Sequence, residues 1–510
     1  MLARILSGAV VGVNAVMVEV EVDTRNGLPR MDTVGLAEGA VRESKVRVEA
    51  AIKNCGYYIG SKRVTINLAP ANIKKEGTGY DLPIAVGLME ALGLVREEKQ
   101  KNYMFAGELS LEGAIRPVRG ILPLAVTAKE QGLKGIIVPR GNAKEAAVVG
   151  GLEVRPVSHF KEVADFLNDQ LEPPYESVDI AELFNQVEEG GIDFSEVRGQ
   201  EHVKRALEVA AAGGHNILML GPPGSGKTML AKRLPTILPG LSFVESIETT
   251  KIYSVAGLLG ENEALVTQRP FRSPHHTISD AGLIGGGSSP RPGEASLAHH
   301  GVLFLDELPE FKKHVLEVLR QPLEDKRVTL ARAAVSLTYP AAFMLVAAMN
   351  PCPCGFAGDP TRNCACHPAL VQRYRGRVSG PLLDRIDIHI EVPAVRYREL
   401  ARTREGEPSV AIRARVEAAR EIQRQRFVRT PRIHCNAQMG SRMIRHVCAV
   451  TTEGSQLLAS VIDRLGMSAR AHDRILKMAR TIADLAASET IQVPHLAEAI
   501  QYRTLDRALA

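Results

Sequence analysis

The residues best suited to chemistry are Gly221, Pro222, Pro223, Gly224, Ser225, Gly226, Lys227 and Thr228, which together have the spacing G-x-x-x-x-G-K-[ST]. They directly follow the apolar run from Asn216 to Leu220, so a strand, a glycine turn and a helix are expected in succession. Such a turn curls tightly enough for its backbone N–H groups to surround phosphate oxygens, and the helix start adds a favourable field. Lys227 would reach the β- and γ-phosphates of ATP, and Thr228 would ligate Mg²⁺. Further on, the run Gly301 to Leu305 ends in Asp306 and Glu307. Asp306 would hold Mg²⁺ through water and Glu307 would polarise the attacking water, since phosphoanhydride hydrolysis needs a positioned nucleophile more than covalent help. A third apolar run, Ala342 to Ala348, leads to Asn350, whose amide could orient that water. A strand ending in Asp-Glu is common in isolation; beside a phosphate-binding turn the bland reading loses its force.

A second constellation is Cys352, Cys354, Cys364 and Cys366, two C-x-C pairs in a loop rich in glycine and proline, with His367 adjacent. Four thiolates so spaced can close a tetrahedral Zn²⁺ site; free or redox-active thiols are the alternative. Cys55, Cys435 and Cys448 are scattered and read as small buried hydrophobes. The pairs His275-His276 and His299-His300 invite a metal reading, but neighbouring residues seldom converge on one ion, so loop hydrogen bonding is expected instead. The insertion from Gln268 to His300 and the alternating stretch Arg327 to Tyr339 stand where the ATPases that this chain resembles, named below, carry a pore-facing insertion and a hairpin, and that resemblance makes both candidate polymer contacts. Arg332, at the tip of the latter, is a candidate for a DNA phosphate, or else belongs to an ordinary exposed hairpin. Arg396 to Arg432 holds eleven arginines against five glutamates, which fits either a DNA-binding surface or a solvated helix face.

These residues need elements to position them. At 510 residues the chain exceeds one core, and its 45% hydrophobic and 24% charged composition suits folded domains rather than disorder. A net charge of +5 permits a polyanionic partner without requiring one. Val16, Val18, Val20 and Val22 alternate as in a strand, no apolar run reaches membrane-spanning length, and the clustered cysteines suit a reducing compartment, so a cytoplasmic protein is expected. Strand-like runs alternate with helical segments from 1 to 170, giving an α/β or α+β domain; 171–194 has linker composition, with Pro173 and Pro174; 195–395 is a second α/β domain; and 396–510 reads as helices, the clearest being 409–427 and 469–487.

The order of phosphate-binding turn, Asp-Glu strand, Asn-ended strand and basic helical region resembles AAA+ ATPases, particularly the magnesium-chelatase-like branch. In that branch the segment Gly380 to Asp387 resembles the one presenting an arginine finger, here Arg385, to a neighbouring subunit. The segment Gly466 to Ala471 resembles the sensor 2 helix, with Arg470 reaching the nucleotide from the lid. Two stretches, Pro70 to Leu82 and Gly107 to Pro139, resemble the Lon protease domain, an α+β fold of the ribosomal S5 domain 2-like kind. The positions of the protease serine and lysine fall on Gly79 and Leu122, which can do neither nucleophilic nor base chemistry, so no peptidase is expected.

The combination resembles the ComM/YifB family along essentially the whole chain. That resemblance implies an α/β multidomain ATPase, assembled as a hexameric homo-oligomer ring, using ATP and Mg²⁺ to drive branch migration of single-stranded or branched DNA during natural transformation, with no membrane partner. Competing readings are a magnesium chelatase subunit, an ATP-dependent protease and an ATPase that remodels a protein partner.

Overall fold

A computed structural model describes residues 2–185, 191–260, 263–287, 290–331, 336–359, 362–394, 406–430, 433–465 and 468–505. The chain forms two compact units. The first comprises Met1–Val187 together with Ser242–Thr267 and Ala331–Tyr339; the second comprises Glu188–Leu241, Gln268–Leu330 and Pro340–Ala510. Two stretches that lie within 195–395 in sequence therefore cluster with the N-terminal residues.

The first unit is built on a seven-stranded mixed sheet, in spatial order Arg30–Val34, Lys62–Ala69, Asn14–Asn26, Leu2–Val11, Tyr103–Phe105, Gly135–Pro139 and Glu153–Val157. Leu2–Val11 and Asn14–Asn26 form a hairpin closed at Val11 and Asn14, and Gly12 takes φ +65 in the two-residue turn, which a side chain would resist. The valine alternation divides the faces of the second strand. Val18, Val20 and Val22 join the core beneath helix Asp81–Ala91, whereas Ala15 and Met17 pack in the cluster of helix Ile121–Glu130. Gly87 lets the first helix lie close, because a Cβ there would stand 2.7 Å from Val22 Cγ2.

Ser242–Thr267 supplies helix Phe243–Ala256, started by a reciprocal capping box between Ser242 and Glu245 and ended at Gly257, φ +71. Its last turn docks on the start of helix Ile121–Glu130. Gly120 N donates to Ser254 O at 3.2 Å, and the Ser254 hydroxyl bonds the buried Glu145 carboxylate. Ala264 and Leu265 complete an apolar cluster with Leu122 and Val148.

The second unit holds a five-stranded parallel sheet, in order Phe271–Arg272, Val302–Leu305, Met344–Met349, Ile217–Leu220 and Ile388–Glu391. The central three strands are buried throughout, which is why they read as unbroken apolar runs rather than alternating ones. The Gln268–His300 insertion contains the edge strand Phe271–Arg272, helix Asp280–Ile284 and a short antiparallel pair at Gly285–Gly286 and Arg291–Pro292. The C-terminal part is helical: Ser409–Phe427, Ser441–Val447, Thr452–Leu465, Ala469–Leu485 and Val493–Gln501.

The arginines of helix Ser409–Phe427 are committed to the protein itself. Arg413 and Arg420 bond the carbonyls of Thr236 and Ala211, Arg415 pairs with Glu208 and Glu407, Arg424 with Glu421, and Arg426 with the buried Asp484. Arg426 is thereby half-buried against the core, whereas Arg413, Arg415 and Arg424 stay exposed while making these bonds.

Candidate functional site

In an open parallel sheet, ligands bind beyond the carboxyl ends of the strands. Here three adjacent strands end together, at Leu220, Met349 and Leu305, and each delivers one part of the site. Ile217–Leu220 runs into the turn 221–226 and then helix Lys227–Ile237. Gly221 is pressed against the neighbouring strand, since a Cβ would sit 2.1 Å from Val392 O. Gly224 and Gly226 take φ +75 and +89, the left-handed region in which glycine curls the backbone tightly, and a Cβ at Gly224 would meet nothing within 4 Å.

Lys227 Nζ lies over the turn, donating to Gly221 O at 2.8 Å, Pro222 O at 2.9 Å and Asn350 Oδ1 at 3.2 Å. Burial pushes its ammonium below the ordinary lysine range, while Asp306 and Glu307 pull it back up. Thr228 Oγ1 donates to Asp306 Oδ2 at 2.6 Å, and Asp306 Oδ1 accepts from Glu307 N at 2.9 Å. Glu307 itself stands in the left-handed region, φ 52. Lys227, Thr228, Asp306 and Asn350 thus meet in one place. Their donors and acceptors fit a nucleoside triphosphate with Mg²⁺: an ammonium over a glycine turn for phosphate, and a hydroxyl paired with a carboxylate for the cation.

Two residues near this site escape a reading of the sequence. Gln200, φ 55, donates through Nε2 to Ser225 O and to Pro393 O, both at 2.9 Å, tying the turn to the last strand. His276 Nδ1 lies 3.6 Å from Glu307 Oε2. The register explains that pairing, because Phe271 and Arg272 stand beside Val302 and Leu303, and continuing both chains brings position 276 alongside 307. His275 stacks on His276 with centroids 4.1 Å apart and bonds Thr277, and His299 Nδ1 accepts from Ala342 N. Loop hydrogen bonding therefore describes His275 and His299, whereas His276 addresses a carboxylate. The sequence signal for it is its offset from the edge strand, which becomes legible only once the register is known.

Arg385 is buried. It bonds Pro381 O at 2.6 Å and Glu324, both within its own unit. Arg470 is exposed in the first turn of helix Ala469–Leu485, and one turn later Arg474 pairs with the buried Asp387 at 2.7 Å. Arg332 lies outside the described residues, as do Gly466 and Met467.

Cys352, Cys354, Cys364 and Cys366 converge, with all four sulfurs within 4.8 Å of one another. Cys352 to Cys354 is 3.3 Å, and both Cys352 to Cys364 and Cys354 to Cys364 are 3.6 Å. These separations exclude a disulfide and approach the roughly 3.8 Å edge of a tetrahedron with Zn–S bonds of about 2.3 Å. Ala357 N and Cys366 N donate to sulfurs at 3.3 and 3.4 Å, and N–H groups directed at sulfur favour thiolates. The donor set fits Zn²⁺. His367 instead caps helix Pro368–Arg375 by accepting from Ala369 N.

In the first unit, Gly79 O accepts from Gly107 N, and Leu122 is fully buried in the cluster with Ala264 and Leu265. Nearby, Asp81 is held by Arg47 through two bonds of 2.7 and 3.0 Å.

Three family models match: "Magnesium chelatase, subunit ChlI" over residues 193–400, "Subunit ChlI of Mg-chelatase" over 20–142 and "Magnesium chelatase, subunit ChlI C-terminal" over 406–503. The chain is 42% identical to competence protein ComM of Haemophilus influenzae, covering 100% of this chain and 98% of that protein. It is 44% identical to YifB of Escherichia coli over 98% of this chain and 97% of that one. Lon protease 2 of Bacillus subtilis is 24% identical over 29% of this chain and 28% of its own length.

Proposed function

The chain belongs to the ComM/YifB family of magnesium-chelatase-like AAA+ proteins, and on that premise we propose that it is an ATP hydrolase working as a hexameric ring on single-stranded or branched DNA, driving branch migration of recombination intermediates. The observation that carries the ATPase reading is the meeting of Lys227, Thr228, Asp306 and Asn350 at the ends of three adjacent strands. The DNA reading is supported by the likeness to a protein named for competence.

In this reading Lys227 and the amides of 221–226 bind the triphosphate, and Thr228 and Asp306 hold Mg²⁺, which neutralises charge on the phosphates when bound. Glu307 takes up the proton of the attacking water and Asn350 orients that water. Arg385 acts toward a neighbouring subunit's nucleotide after exchanging its internal partner Glu324, and Arg470 reaches nucleotide from the lid. Cys352, Cys354, Cys364 and Cys366 hold Zn²⁺. The Lon-like region 1–170, linker 171–194, ATPase core 195–395 and helical lid 396–510 are the working divisions, and the first has no peptidase activity, because Gly79 and Leu122 supply no nucleophile and no base. No helix among the described residues is long and apolar enough to cross a membrane, and the proposed place of action is the cytoplasm.

The test is the ATPase rate of the purified protein with and without single-stranded, duplex and four-way-junction DNA, alongside a strand-exchange readout on the junction, with Lys227→Ala as control. Stimulation with shifted junction products is expected. Turnover indifferent to every DNA would favour a chelatase-like or protein-remodelling role, the former having support from the three family-model matches.

A further inference from the structure

The cysteine turn touches the nucleotide site at two points. Asn350, which accepts from Lys227 Nζ, precedes Cys352 by two residues, and the intervening Pro351 is pinned by Arg375 Nε, which donates to its carbonyl at 3.0 Å. On its other side the turn is closed by Gly355 N donating to Cys352 O at 3.0 Å, and Gly355, φ +86, lies against the phosphate-binding turn itself. A Cβ at Gly355 would stand 2.4 Å from Pro223 Cδ. Cys352, fully buried, joins the two contacts. The Gly355 backbone is thus packed on Pro223 with no room for a side chain, and its conformation is fixed by the sulfur cluster on which it sits.

We infer that this turn is one wall of the nucleotide site, so that binding of a thiophilic divalent cation by Cys352, Cys354, Cys364 and Cys366 sets the affinity for nucleotide through the contact of Gly355 with Pro223. The inference rests on the zinc reading given above. The physical reason is preorganisation. Without the cation the four sulfurs, within 4.8 Å of one another, keep their protons as thiols, and the cross-link that ties 352–354 to 364–366 and holds Gly355 in place is lost. A loosened Gly355 would leave Pro223 unsupported, and the amides of 221–226 would then have to be ordered by the nucleotide at the expense of affinity.

The experiment uses the full chain. Zinc content is measured by elemental analysis, zinc is then displaced by a thiol-directed mercurial and removed, and affinity for a fluorescent ATP analogue is measured before and after. Cys364→Ser with Cys366→Ser repeats the test without reagent, and Gly355→Val probes the contact with all four thiols intact. The expected result is one zinc per chain, with affinity falling by about tenfold or more on metal loss and in Gly355→Val, the latter still holding its zinc. If the double serine variant fails to fold, the stripped wild-type chain and Gly355→Val decide the matter. A chain that releases its zinc and binds the analogue unchanged overturns the inference alone; a chain isolated and reconstituted without any zinc overturns the zinc reading and the inference with it.

Discussion

Thr228 Oγ1 donates to Asp306 Oδ2 across 2.6 Å, bridging the first turn of one helix and the end of a strand that lies two places away in the sheet. The intervening strand ends at Asn350, which accepts from Lys227, so the helix start is tied to two strand ends at once. Such a hydroxyl–carboxylate pair holds both oxygens where Mg²⁺ would be met by the hydroxyl oxygen directly and by the carboxylate through water. Thr228→Ala is therefore expected to lose turnover by roughly 100-fold in Mg²⁺, the scale of removing one preorganised polar group. Lys227→Ala should abolish nucleotide binding altogether. Steady-state turnover and equilibrium binding of an ATP analogue separate the two; normal turnover in Thr228→Ala would remove that residue from the site.

Glu307 and His276 form the second pair to test. Glu307→Gln keeps the shape of the side chain and loses its basicity, so it should bind ATP and fail to turn it over. His276, 3.6 Å from the Glu307 carboxylate, touches no other described part of the proposed site and should influence only where that carboxylate points. His276→Ala is expected to change kcat by about 3- to 10-fold, a differential effect of about 1 kcal/mol, with KM unchanged. A change confined to KM would place His276 in binding rather than positioning.

The parts of this molecule legible in its sequence are those in which chemistry is written locally. The strand, turn and helix around Lys227 follow from one contiguous pattern, and the buried strands at Val302–Leu305 and Met344–Met349 follow from unbroken apolar runs. The partners of long charged side chains are not written locally. Arg415 and Arg426 find their partners in Glu208 and Asp484, both distant in sequence. The docking of Phe243–Ala256 on Ile121–Glu130 is hidden for a related reason, because its buried face is mostly hydroxyl residues, Ser246, Thr249, Thr250 and Ser254, which announce no apolar partner.

Asp387 gives a prediction in pH. Burial alone would push its carboxyl up, but Arg474 at 2.7 Å, with His215 and Lys477 nearby, holds it well below the usual carboxylate range. A carboxyl depressed in the folded state stabilises the fold above its unfolded value of about 3.9 and loses that contribution as pH falls below it. Asp387→Asn leaves Arg474 without its partner and is expected to lower stability by about 3 to 5 kcal/mol at neutral pH. The gap between variant and wild type should narrow as pH is taken toward 3. Denaturant titrations at several pH values measure this, and a gap independent of pH would show that the ion pair is not its source.

Arg385 poses a conflict that two substitutions resolve. Its guanidinium is buried and held by Pro381 O and Glu324, yet the proposed function needs it to act on a neighbouring subunit's nucleotide. If exchange of partners accompanies ring assembly, Glu324→Gln should weaken the internal hold and leave turnover at or above wild type, whereas Arg385→Ala should assemble and hydrolyse poorly. Sedimentation and ATPase rate together distinguish this from a structural role, in which both substitutions would lower thermal stability and leave per-ring turnover alike.

Leu122 shows how far the N-terminal unit has been given over to packing. The position that resembles the protease lysine lies fully buried, its N–H donating to Glu145 at 2.9 Å and its side chain in a cluster with Val148, Ala264 and Leu265. Lysine there would bring an ammonium into an apolar cluster beside Glu145, whose carboxylate already accepts from Ser254 and Asn142. Burial of an incompletely paired charge costs several kcal/mol, so Leu122→Lys is expected to destabilise the unit by about 3 kcal/mol or more. Even with Gly79→Ser alongside, it should not degrade casein, because the side chain at 122 is packed against Val148, Ala264 and Leu265 rather than presented to solvent. Thermal unfolding and a casein assay on the double variant check both halves; proteolysis by that variant would show that the segment 242–267 leaves the position open.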